Sequence, residues 1–344
     1  MKNRLWLKYF VSVILGGGLV WLAFRGEDWS QVGEQLTRVD QGSLVAYLVL
    51  FSLAHLLRMV RWGVLVRALG TISWRDTLAA GAVGYMCIMV FPLRLGEFVR
   101  PLLVRGRDGV TASGALATVV VERVIDGILF VALFFVFISL LPESGNPAVS
   151  TVKISAYVAG VVFIVALLTM VAAYLKREQT IRLIRRLGEP IHSGLTDKAV
   201  GLLDAFIDGL KILPDWRRLA LFLFYTVVYW AALGVGMKLM ADAAHMPDVT
   251  WVGGFALLTV LTVGIMVPGG PGFAGTFEFA LKGGFALLVL APESVANITV
   301  YILMLHLAQL VVQVGFGAAC IVLGFVKLSD IKTGGVTATD QLAK

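Results

Sequence analysis

Cysteine is nearly missing from this 344-residue chain: Cys87 and Cys320 are the two present, and both sit inside apolar runs. With no CxxC pair and no spaced histidine beside them, a disulfide scaffold and a zinc site are both excluded, and the two thiols read as packing residues. Charge is scarce as well. Asp, Glu, Lys and Arg make up 15% of the chain against 58% hydrophobic residues, where an ordinary soluble domain carries about a quarter charged. A water-soluble fold could not hide so much apolar surface. No Gly-Lys-Ser/Thr phosphate loop occurs, which excludes nucleotide-driven pumping of the Walker type. No Ser/His/Asp constellation and no metal-ligand set stand out, so no catalytic residue, metal or cofactor is expected, and the chain is not read as an enzyme. The formal charge of +7 does not point to nucleic acid. The basic residues cluster in the connections between apolar runs, where membrane orientation accounts for them.

The apolar residues arrive in runs of about twenty, the length at which a helix crosses roughly 30 Å of hydrocarbon, and no alternating barrel pattern is present. The expected fold is an all-α polytopic membrane protein. Six full spans are predicted at Leu5 to Phe24, Ser43 to Val66, Ala115 to Leu141, Val152 to Leu175, Leu219 to Met240 and Val295 to Val326. The first has a basic start but no A-x-A cleavage pattern, and Trp6 and Trp21 bracket it as interfacial anchors, so it is kept as a span rather than a signal peptide. Two further apolar regions are broken by Pro and Gly. Thr77 to Val104 is interrupted at Phe91-Pro92-Leu93-Arg94-Leu95-Gly96, and Trp251 to Leu290 at Pro268-Gly269-Gly270-Pro271-Gly272. Each reads as two half-helices joined by a tip, either a re-entrant hairpin or a kinked crossing.

Lys and Arg set the orientation, because cytoplasmic connections carry the excess. With the N-terminus inside and each broken segment returning to its own side, about 21 of the 29 basic residues fall inside and about three outside. Both termini are then cytoplasmic, and residues 1–326 form one transmembrane domain. Its halves, about 1–141 and 152–326, are inverted relative to each other, an arrangement that in transporters places the site at the repeat interface. A cytoplasmic amphipathic insert is expected over 176–218, and a disordered cytoplasmic tail over 327–344.

Charges inside a membrane need a partner or a water-filled cavity. Glu122 and Asp126 share one helical face with Arg123 beside them; they either neutralise buried arginines or belong to a proton or ion path. The first tip carries Arg94, Glu97 and Arg100, a set suited to bidentate phosphate contacts with Glu97 holding an arginine in place. Arg58 and Arg61, one turn apart, either face that tip or snorkel to the interface. At the second tip Gly269, Gly270 and Gly272 let backbone approach a ligand. A half-helix starting near Phe273 would aim its N-terminus at an anion, and Glu278 with Lys282 form an i,i+4 pair. His306 and Gln309 are further candidates for lining a cavity.

Three stretches in this order, Phe91-Pro92-Leu93-Arg94-Leu95-Gly96-Glu97-Phe98-Val99-Arg100-Pro101, Val121-Glu122-Arg123-Val124-Ile125-Asp126, and Pro268-Gly269-Gly270-Pro271-Gly272 with Glu278, resemble the flippase-like integral membrane family. That family is related to the transmembrane flippase domain of lysylphosphatidylglycerol synthases, the multiple peptide resistance factors. The resemblance spans essentially the whole chain. It implies a prokaryotic cytoplasmic (inner) membrane protein that moves or handles a lipid with a charged head group, phospholipid or polyprenyl-phosphate. A homo-oligomer or a lipid-modifying enzyme is the expected protein partner. Bifunctional members continue into a soluble aminoacyl-transferase domain, whereas little follows Val326 here, so synthase activity is not expected. A proton-coupled carrier of a small organic anion is the competing reading, and behind it an intramembrane lipid-modifying enzyme or a scaffold.

Overall fold

A computed structural model describes residues 2–106, 109–140, 148–189, 193–209, 215–267 and 269–327. Among them every regular element is helical. In chain order these are α1 (Lys2–Phe24), α2 (Trp29–Thr37), α3 (Gln41–Val66), α4 (Trp74–Val90), α5 (Val99–Val104), α6 (Ala112–Leu140) and α7 (Ala148–Leu175). They continue with α8 (Arg177–Gly188), α9 (Ser193–Gly209), α10 (Trp216–Ala243), α11 (Trp251–Gly264), α12 (Thr276–Phe285), α13 (Pro292–Ala296) and α14 (Ile298–Val322). Short 3-10 turns, Pro92–Phe98 and Pro271–Phe273, interrupt the two broken segments. The predicted tail, the connection beginning at Pro142, and Pro268 lie outside the described residues.

Among the described residues α3, α10 and α14 are long and apolar enough to cross a membrane. Their starts are fixed locally. Asp40 accepts the Ser43 N–H at 2.7 Å ahead of α3, and Asp215 accepts that of Arg218 at 3.2 Å ahead of α10; each satisfies one of the orphan donors of a helix N-terminus. On α7, Tyr157, Val161 and Leu168 are each about 62% exposed. So much apolar surface has no stable place in water, and hydrocarbon is the solvent that suits it.

The core joins residues of both halves. α3 packs along α10, α4 along α14, and α11 along α6. Gly317 on α14 leaves room for Met86 of α4, a small-residue contact that lets helices approach closely.

Both broken segments double back. α4 stops at Phe91, whose backbone is extended (φ −92, ψ 139), because a residue before proline is driven out of the helical region. The chain then turns through Pro92–Phe98 and returns as α5, which packs on α4. Ile72, just before α4, and Val104, at the end of α5, belong to one buried cluster. In the second segment, α12 packs back on α11. The Asp248 carboxylate accepts the Ala291 N–H at 3.0 Å and the Ser294 hydroxyl at 2.8 Å, so its two ends are tied side by side.

Candidate functional site: a cationic cavity between the broken segments

The buried charges fall into two layers. In the deeper one, the fully buried Arg61 guanidinium bridges Asp126 (2.5 and 2.9 Å) and Glu122 (2.7 Å). Arg100 reaches the other Glu122 oxygen at 3.1 Å and donates to the Tyr85 hydroxyl at 2.6 Å. The Trp230 indole N–H completes Asp126 at 3.0 Å. Gly84 of α4 makes this possible: a Cβ there would occupy the space of the Arg100 side chain. Ion pairing of this kind is what allows ionised groups in a dry interior.

The outer layer faces a cavity of about 100 Å³ lined by Arg58 of α3, Arg94 of the first tip, and Arg123 and Asp126 of α6. Ile265 and Phe273 of the second broken segment and Gln309 and Gln313 of α14 also line it. Arg94 pairs with Glu97 at 2.6 Å and donates to the Ile265 carbonyl at 3.2 Å, linking the two broken segments. Arg123 lies 3.3 Å from Glu122 and 3.9 Å from Asp126. Arg58 is different. Its guanidinium sits 3.9 Å from the Tyr85 ring centroid, its Nε makes no hydrogen bond, and no carboxylate comes within ion-pair range of it among the described residues. A cation–π contact contributes about 0.5–2 kcal/mol, well below the cost of holding a lone charge away from water.

Backbone conformation marks the same place. Among the described residues three non-glycine residues have positive φ, and two of them, Arg94 (φ 58) and Phe273 (φ 63), occupy the two tips. They meet, with the Arg94 guanidinium 5.4 Å from the Phe273 ring centroid. A bulky side chain in the left-handed region costs energy that the surroundings must supply, and such residues cluster at functional sites.

Several expectations need correction. Glu122, Arg94 and Glu278 do not converge on one pocket; of the three, Arg94 alone lines the cavity. Arg61 neither faces the tip nor snorkels, because it is fully enclosed by the acids of α6. Arg100 is likewise withdrawn into the deeper layer. With both its oxygens held by guanidinium groups, Glu122 has the geometry of a neutralising acid rather than of a free proton carrier.

The second half-helix begins at Thr276, three residues after Phe273. Lys282 pairs with Glu27 in the connection between α1 and α2, and Glu278 does not take it. Glu278 instead accepts the Gly275 N–H at 2.7 Å and lies 2.6 Å from His306 Nδ1, whose Nε2 lies 2.7 Å from the Gly272 carbonyl. The glycines of this tip serve packing. Gly16 of α1 lies so close that a Cβ on it would come within 2.9 Å of Gly270 Cα and the Ala274 carbonyl, while Gly269 leaves room for Thr276. Gly272 takes a left-handed φ of 65.

Tyr85, Tyr229 and Trp230 were not singled out from the sequence. The signal available was the spacing of Thr226, Tyr229 and Trp230, which puts three polar-tipped side chains on one face of the otherwise apolar α10.

These features define a helical membrane protein with a cationic cavity between two broken helices. Residues 9–317 match the family described as the lysylphosphatidylglycerol synthase TM region, and the chain belongs to that family. It is also similar to a Haloferax volcanii protein named glycosyltransferase AglD, 24% identical over 288 residues, covering 76% of this chain. The chain spans 46% of that relative's length.

Proposed function

We propose that this protein translocates a lipid with an anionic head group across the prokaryotic cytoplasmic membrane, with the head group held by Arg58, Arg94 and Arg123. The observation that carries this reading is the convergence of three guanidinium groups, from α3, the first tip and α6, on one cavity, with no carboxylate paired to Arg58 among the described residues. Guanidinium groups recognise phosphate through paired N–H donors. A lipid is favoured over a soluble anion by the rim. Met266, which lines the cavity, is 38% exposed, and Val267 beside it 58%; apolar surface at the mouth suits acyl chains. Family membership points the same way.

In this reading the chain has six spans and two re-entrant segments arranged as an inverted repeat, both termini being cytoplasmic. The packing supports it: α4 of the first half lies on α14 of the second, and α11 of the second lies on α6 of the first, about the α3 and α10 pair. The side-by-side ends of each broken segment support re-entry rather than crossing. The chain is a carrier rather than an enzyme, and any glycosyl transfer by a relative is that relative's own property.

The test is head-group-labelled lipid flipping in vesicles holding the purified protein. Arg94→Ala is expected to slow flipping at least tenfold, the loss of one charge-assisted contact, while Arg38→Ala, at the exposed residue that caps the end of α2, leaves it unchanged. Equal rates for Arg94→Ala and the parent protein would remove the cavity from the transport path.

A further inference from the structure

The charges around the cavity do not balance. Five guanidinium groups, of Arg58, Arg61, Arg94, Arg100 and Arg123, face three carboxylates, of Glu97, Glu122 and Asp126, an excess of two positive charges among the described residues. The excess has a location. Asp126 is taken by Arg61 and Trp230, Glu122 by Arg61 and Arg100, and Glu97 by Arg94. Arg58 is left with aromatic faces, and Arg123, 3.3 Å from Glu122, keeps its Nε and Nη2 buried without a hydrogen bond; both line the cavity. A membrane interior does not hold two uncompensated charges without an anion or water to meet them. The cavity of about 100 Å³ holds a few waters, which suits a compact tetrahedral anion better than a sugar or a peptide.

Resting on the head-group reading above, we propose that the ligand of this cavity is the dianion of a phosphate monoester, a lipid ending in a terminal phosphate, rather than a monoanionic phosphodiester or a cationic aminoacylated lipid. A terminal phosphate carries close to two negative charges at neutral pH and has three free oxygens, which matches the excess and supplies one acceptor for each of Arg58, Arg94 and Arg123. A phosphodiester leaves one positive charge unmet, and an aminoacylated head group adds more. Terminal phosphate has a second ionisation near pH 6; diesters have none. Besides the three arginines, the titratable groups lining the cavity are Asp126 and Tyr229. Glu97 is held by Arg94, and His306 stacks on Phe277 while its nitrogens face Glu278 and Gly272. α4, α11 and α14 contribute no charged side chain to the lining.

The experiment is direct binding to the full chain purified in detergent, with four probes: dodecyl phosphate, short-chain phosphatidylglycerol, lysyl-phosphatidylglycerol and inorganic phosphate. At pH 8 dodecyl phosphate is expected to bind about tenfold more tightly than phosphatidylglycerol, the worth of one charge-assisted contact, with lysyl-phosphatidylglycerol weakest. Between pH 8 and pH 5 that preference should fall to about twofold, following the second ionisation of the phosphate. Arg58→Gln should cost dodecyl phosphate about tenfold, and Arg58→Lys should restore most of it. Gln309→Glu, which adds a negative charge to the lining without removing an arginine, should lower the preference in the same direction.

Equal binding of monoester and diester at pH 8, both weakened by Arg58→Gln, would overturn the dianion and leave the head-group cavity standing. Binding of inorganic phosphate without dodecyl phosphate would overturn the lipid source. Affinities indifferent to both Arg58→Gln and Gln309→Glu, in protein that elutes as the parent does, would overturn the cavity as the site altogether.

Discussion

The two broken segments share a shape and divide the work. Each is an apolar helix that stops at a proline or glycine tip, turns through a 3-10 stretch and packs back on itself, and each carries one non-glycine residue of positive φ at its tip. The first brings charge. Arg94 enters the cavity and Arg100 anchors the return arm to Glu122, so its place in the bundle is set by ion pairs to α6. The second brings fit. Its acid is retained by His306 and its own Gly275 N–H, its lysine pairs outward with Glu27, and its glycines receive α1. Similar backbones therefore rest on different forces, and substitutions should fail differently in the two.

The largest effect is expected where the first segment is anchored. Glu122→Gln removes the carboxylate shared by Arg61 and Arg100 and leaves charge in the dry layer without its partner, at a cost of about 3–5 kcal/mol. The thermal midpoint in detergent should fall steeply, and folded protein should be recovered in low yield. A Glu122→Gln protein as stable as the parent would mean that the deeper layer does not hold the first segment in place.

A smaller, sign-changing pair tests the second segment. Gly16→Ala places a methyl 2.9 Å from rigid backbone at Gly270 and Ala274; overpacking of this sort costs about 1–3 kcal/mol, against about 0.5–1 kcal/mol gained by replacing glycine within a helix. Net destabilisation is expected. Gly17→Ala, one residue along α1 with nothing within 4 Å of the new methyl, keeps the helix gain alone and should be stabilising. If both raise the thermal midpoint, α1 does not seat on the second tip.

The same division explains what could be read in advance. The breaks themselves were legible, because proline and glycine punctuate apolar runs for local reasons: the interruption expected at 91–96 falls at the end of α4 and in the Pro92–Phe98 turn. That Glu122 and Asp126 share a face followed from helical spacing alone. Partner choice did not follow. The i,i+4 rule favoured Glu278 with Lys282, and tertiary neighbours far along the chain, His306 and Glu27, took one each. Nor could spacing show that Arg61 and Arg58, a turn apart, would go to different layers, since α6 meets one and the cavity the other. The left-handed backbone at Arg94 and Phe273 had no sequence signal, because neither residue type prefers it.

The smallest effect separates the bases of the two segments. The ends of the second are tied by the Asp248 carboxylate, in the loop before α11, through the Ala291 N–H and the Ser294 hydroxyl. Those two donors hold its pKa below the ordinary carboxylate value, the backbone N–H of Ala291 contributing most. At the first base, Arg67 donates to the Ile72 carbonyl at 2.7 Å beside an apolar cluster. A carboxylate with a depressed native pKa contributes stability in full above its unfolded value, about 3.9, and loses it as pH falls through the lower native value. Asp248 is exposed to solvent, so Asp248→Asn should lower the thermal midpoint at pH 7 by on the order of a degree. The gap to the parent should close as pH drops below about 4. Arg67→Gln, by contrast, should shift the midpoint equally at both pH values, because the bond it removes does not titrate in that range. A gap for Asp248→Asn that persists at pH 3 would show that the loop is held by packing rather than by its carboxylate.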